Sequence, residues 1–172
     1  MPTALQLAAG DPALQERVRN CRSLLTRRAL MGAAASAVPL PGLDWAVDAA
    51  LLTKLLPEIN AQFGLTPQQL ARLPAHQRHE VERAASVVGS VVIGRLVTRE
   101  LVLRVAKAVG LRMSAKQAAK YVPLAGQAVA ALMGYAALRY LGEEHIKDCV
   151  RVVLETHLAL PAPTPVVLEL SG

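Results

Sequence analysis

Residues 37–56 read "AVPLPGLDWAVDAALLTKLL". Pro39 and Pro41 cannot donate the next backbone hydrogen bond, so they stop a helix arriving from upstream. Gly42 lets the chain reverse, and the spacing beyond it predicts a new helix from about Leu43 to Phe63. Gly64 then suits the left-handed residue that closes a helix, and Pro57 inside the run predicts a kink or an earlier end. The stretch is a joint between two helices. Asp44 falls in the first turn, where free amides and the helix dipole favour a negative charge. Asp48 stands one turn later on the same face, placed to meet a basic side chain of a neighbouring helix. Paired carboxylates also suit acid–base or metal chemistry, but the structural role of Asp44 accounts for the spacing without it.

Working outward, the same joint recurs at residues 121–141, "YVPLAGQAVAALMGYAALRYL". Aligning Val38 with Val122 matches V-P-L-x-G in both, with Pro123 and Gly126 in the places of Pro39 and Gly42. Two proline-glycine-linked helical hairpins follow, either related by a pseudo-two-fold duplication or sharing only the punctuation common to helix turns. Upstream, Asp11 and Pro12 start a helix that runs to Val38, after a loose arm over residues 1–10. Downstream, Thr66 and Pro67 open a short helix. An uninterrupted pattern then extends from Ala75 to Leu111. Its run "AASVVGSVVIG" is apolar all round and predicts enclosure. Ser114 and Gln117 form a capping box, and a last helix extends from Gly126 to about Leu160. The proline-rich tail, 161–172, reads as extended. The expectation is an all-α bundle of about six helices in one domain, residues 11–160.

Composition agrees with that class. Small aliphatic residues dominate and aromatics make up 3% of the chain, which suits close-packed helices better than a β-sandwich. Mean hydropathy is +0.33, high enough to raise the question of membrane contact. A spanning helix needs ~20 predominantly apolar residues. Residues 29–56 carry Asp44, Asp48 and Lys54, and residues 121–138 begin with Pro123 and Gly126, so neither reads well as a span. The net charge of +6 is concentrated in residues 72–120, while 43–71 and 121–172 are net acidic. There Arg95, Arg99, Arg104 and Lys107 share one helix face opposite Val97, Leu101 and Val105. That face predicts contact with an anionic membrane surface or an acidic protein partner, or else a solvated surface. The arginines lack interleaved aromatics, so nucleic acid is not the expected partner.

No enzyme pattern emerges. His76 and His79 form H-x-x-H without further ligands at metal spacing, and His145 and His157 stand alone on the last helix. Cys21 and Cys149 lack CxxC spacing and read as reduced thiols on helices. No nucleophile motif and no phosphate-binding loop occur, so no catalytic residue, metal or cofactor is expected. The amino-terminal "MPTALQLAAGDP" does not read as a signal peptide, and the two reduced thiols predict a cytoplasmic or cytosol-facing protein, peripheral at the inner face of the membrane if membrane-bound.

The stretch "VPLPGLDWAVDAALLTKLLPEINAQFGLTPQQLARL" resembles the helical region that follows the GTPase domain in immunity-related GTPases. Asp48 and Phe63-Gly64-Leu65 match its pattern, and the joint at Pro123 and Gly126 is similar to that family's later proline-x-x-glycine helix. Pro39, Pro41, Gly42 and Asp44 are also similar to a motif of a bacterial helical domain of unknown function that accompanies small GTPase domains and is linked to membranes. The resemblance spans about residues 29–155. It implies a helical domain standing without its GTPase, so GTP hydrolysis is not implied. What it implies is a non-enzymatic module at the inner face of a membrane, with a separate GTPase as partner. A soluble partner-binding module of adaptor or immunity type is the alternative, and a membrane-inserting, pore-type protein a third.

Overall fold

The computed structural model describes residues 2–35, 43–90, 93–94 and 126–162. Pro39, Pro41, Gly42, Arg95, Arg99, Arg104, Lys107 and Pro123 lie outside the described residues. So do the capping box at Ser114 and the tail beyond Ala162. The described regular structure is helical throughout: α1 (Ala4–Leu7), α2 (Pro12–Ala35), α3 (Leu43–Phe63), α4 (Pro67–Leu70), α5 (Ala75–Val88) and α6 (Gly126–Thr156).

Residues 1–10, expected as a loose arm, instead contain α1. The Thr3 hydroxyl accepts from the Gln6 amide at 3.3 Å, and the Gln6 side chain accepts from the Thr3 amide at 2.7 Å. This reciprocal capping box starts the helix, and the fully buried Ala4 and Ala8 hold it against the bundle. Asp11 begins α2 as expected, its carboxylate accepting from the Leu14 amide at 3.0 Å.

Helices α2, α3 and α6 form the centre of the molecule. Arg22 Nε donates to Glu143 at 2.7 Å and Arg139 donates to the Thr26 hydroxyl, so α2 and α6 run antiparallel. Arg17 meets Gln62, while Ala29 clusters with Leu52 and Leu56, so α2 and α3 are antiparallel too. It follows that the last turn of α2 and the first turns of α3 and α6 point toward one end of the bundle. The chain's amino-terminal helix and residues 157–162 lie toward the other. Gly142 permits the close α2–α6 approach, because a Cβ there would run into the Leu25 side chain.

Helix α3 keeps the expected bounds and passes through Pro57 without ending. An internal proline costs about 3 kcal/mol. Here the buried Leu55, Leu56 and Ile59 on either side anchor the helix to its neighbours, and burial of each contributes about 2 kcal/mol. Gly64 (φ +75°) closes it: the Leu65 amide returns to the Asn60 carbonyl at 2.9 Å, and Gly64 to Ala61 at 3.3 Å. Thr66 caps α4 with Gln69 as its partner.

The expected helix from Ala75 to Leu111 is corrected. Helix α5 ends at Val88, where Gly89 (φ +77°) makes the same left-handed closure, with Ser90 returning to Ala85 at 3.0 Å. Farther on, Ile93 is buried in the core and Gly94 (φ +70°) donates its amide to the Leu65 carbonyl at 3.1 Å. Of the run "AASVVGSVVIG", expected to be enclosed by protein or lipid, the protein encloses Ala84, Ala85 and Ile93 but leaves Val87 71% exposed. Finally, α6 stops at Thr156, short of Leu160, because His157 adopts φ +48°.

Candidate functional site

The interior holds the most concentrated chemistry. Asn60 on α3 and His145 and Cys149 on α6 are all buried. The Asn60 side-chain oxygen Oδ1 lies 2.9 Å from His145 Nε2 and 3.7 Å from Cys149 Sγ, and that sulfur is also 3.7 Å from His145 Nε2. The oxygen is an acceptor, so the histidine places its proton on Nε2 and donates. Burial lowers the His145 pKa to about 4, which leaves the ring neutral near pH 7.

A thiol beside an imidazole is the pattern of a cysteine nucleophile, but burial reverses its chemistry here. The Cys149 thiol is pushed well above its usual range by burial first, then by the nearby Cys21 and Asp148. Burial likewise pushes Cys21 to about 12, against a smaller opposing effect of Arg17. Both cysteines are free, on α2 and α6, and stay protonated. The Asn60–His145–Cys149 cluster is a sealed polar joint between α3 and α6. Sequence reading missed it because its partners are 85 residues apart. The four-residue spacing of His145 and Cys149, which puts both on one helix face, is the signal that points to it.

Of the residues singled out from the sequence, Asp44 and Asp48 lie on α3 and Gly126 is the first residue of α6. The Asp48 side chain, and with it the ion pair expected with a basic side chain of a neighbouring helix, lies outside the described side chains. His76 and His79 are exposed on α5, with His79 Nδ1 3.5 Å from Glu82. Among the described residues no group of three or more His, Cys, Asp or Glu is placed to hold a metal ion.

The surface offers two features. At the end of the bundle where α2 finishes and α6 begins, Leu30, Met31 and Tyr140 are 55%, 61% and 58% exposed. They lie within about one helical turn of the Thr26–Arg139 contact, beside the exposed Arg27. Three large apolar side chains and a cation are thus exposed near one another, an amphipathic patch among the described residues. On the opposite side of the molecule's sequence order, a cleft of about 590 Å³ opens between α4, α5 and Ile93–Gly94. Leu70, Val81, Ala85 and Ile93 give it an apolar floor, while Arg78 and Glu82 balance its charge.

No family model, curated protein or solved structure matches this chain.

Proposed function

We propose that the protein is a non-enzymatic helical module that docks peripherally on the anionic, cytosolic face of a membrane. The observation that carries this reading is the amphipathic patch of Leu30, Met31 and Tyr140 beside Arg27. An amphipathic aromatic with neighbouring aliphatic and basic groups suits the boundary between headgroups and acyl chains. No helix among the described residues is long and apolar enough to cross a membrane, so the proposed contact is superficial. In this reading Arg95, Arg99, Arg104 and Lys107 add electrostatic attraction, each basic group near an anionic surface contributing about 1 kcal/mol. The bundle is proposed to comprise about six helices in two proline-glycine-linked hairpins, with pseudo-two-fold symmetry. Its resemblance to GTPase-associated helical regions supports a separate GTPase as a protein partner.

Co-sedimentation with phosphatidylserine-containing and with phosphatidylcholine vesicles tests the reading. The expected result is binding to the anionic vesicles, weakened at least several-fold by the double change Met31→Ser, Tyr140→Ser. Absence of binding, or equal binding to both vesicles, overturns it. A second reading, a soluble partner-binding module, draws on the cleft beside α5, whose balanced charges suit a protein segment better than a lipid headgroup. A stoichiometric partner recovered without lipid, and lost on Arg78→Glu, favours that second reading.

A further inference from the structure

Helices α3, α5 and α6 all end at a residue with positive φ, but only the first two place glycine there. At the end of α6 the residue is His157 (φ +48°), and the Leu158 amide reaches back to the Val153 carbonyl at 3.3 Å. A side chain in this conformation crowds the backbone, which is why glycine is the usual occupant. The last helix therefore turns through a strained joint, joined by one long hydrogen bond, into residues 158–162.

What those residues touch explains how the joint is held. Leu158 and Leu160 pack partly buried against the main core. Pro161 crosses Gly64, where a Cβ would come within 3.3 Å of its ring. Its carbonyl oxygen accepts from Arg17, whose guanidinium also donates to Gln62 Oε1 at 3.1 Å. Arg17 is only 6% exposed. A guanidinium carries its charge at any physiological pH, and here these two uncharged oxygens serve it. Ala159 and Ala162 meanwhile face solvent, as does His157.

We propose that residues 157–162 form a detachable strap that opens while the helices remain folded, and that its opening uncovers the cationic group of Arg17. The strap lies at the surface, has one long backbone hydrogen bond to α6, and starts from a strained residue. Such segments open at far lower cost than the global fold. Opening relieves His157 and lets water hydrate Arg17, which offsets the lost contacts of Leu158, Leu160 and Pro161. The strap thus gates a buried positive site at the end of the bundle remote from Leu30, Met31 and Tyr140, and this inference stands apart from the membrane reading.

Two readouts on the full chain test it: modification of Arg17 by phenylglyoxal, mapped by mass spectrometry, and hydrogen exchange of the Leu158 amide. Exchange of the Val150 amide in α6 reports global unfolding. Each rate is divided into that of the same group in an unfolded reference peptide, and both strap readouts are expected to be protected at least ten-fold less than the Val150 amide. His157→Gly relieves strain but adds freedom to the open strap, and is expected to slow both by about three-fold. Gly64→Ala, which intrudes on Pro161, is expected to speed both relative to Val150. The proposal is overturned if Arg17 and Leu158 are as strongly protected as Val150, or if His157→Gly leaves both rates unchanged.

Discussion

The two ends of the bundle are held by different physics. At the end carrying the chain's amino-terminal helix, polar groups are buried and paired: Arg17 with Gln62 and Pro161, and Asn60 with His145 and Cys149. At the other end the described core is Ala29, Leu52, Leu56 and Leu138, with Leu51, Tyr135 and Leu141 around it. Directional bonds fix the register of the first end, because a slipped helix would strand buried polar groups. Among the described residues the second end is packed mainly through apolar side chains, with the Arg28–Glu58 pair at 3.0 Å on its flank, and Leu30, Met31 and Tyr140 lie outside. A fold that concentrates its specificity at one end can present an apolar surface at the other.

Removing the Asn60 side chain should separate the ends most sharply. Asn60→Ala leaves His145 and Cys149 buried without their shared acceptor and opens a cavity, and should cost about 3 kcal/mol. Chemical denaturation measures this, and a loss below about 1 kcal/mol would mean that the joint does not hold α3 to α6.

Acid provides a milder probe of the same joint. His145 is held at about 4 in the fold, below its ordinary 6.5, so the unfolded chain binds the proton first. Its contribution is complete above pH 6.5 and is lost as the pH falls toward 4. Asp148 acts in the opposite sense: burial, opposed by Arg151, raises its carboxyl from 3.8 to about 6, so the fold binds that proton first. Between pH 6 and 4 His145 costs about 2 kcal/mol and Asp148, partly screened by solvent, returns much of it, so the net loss should be about 1 kcal/mol or less. His145→Gln should leave a profile that rises as the pH falls over this interval, and Asp148→Asn should deepen the fall. Parallel profiles for all three proteins would show that neither group sets the acid response.

The smallest stability effect belongs to the opposite end. Met31→Ser with Tyr140→Ser should change stability by no more than about 0.5 kcal/mol, since both side chains are already exposed. Thermal melting measures this. A large drop would assign these side chains to packing and withdraw the patch from any docking role.

Much of the fold was legible because proline and glycine act locally. The bounds of α3, the closure at Gly64 and the opening of α4 at Thr66 follow from residues adjacent in the chain. Gly89 was harder to read, since a single glycine within an apolar run is tolerated in a helix as often as it ends one. The Thr3–Gln6 box in α1 carries the same signal as Ser114–Gln117, but a four-residue helix has too little periodicity to stand out. The exposed patch was not legible at all: Leu30 and Met31 share an apolar run with the buried Ala29, and only packing tells them apart.

By itself the sequence determined the helical class, the joints that punctuate it and the cap residues that start and stop its helices. These depend on backbone sterics and on bonds between neighbours a few residues apart. Only the tertiary structure decided that His145 is a neutral, buried partner of Asn60, that Arg17 is covered by Pro161, and that Leu30, Met31 and Tyr140 face outward. Each depends on which distant surfaces meet and exclude water, and desolvation is a property of the packed bundle rather than of any local stretch.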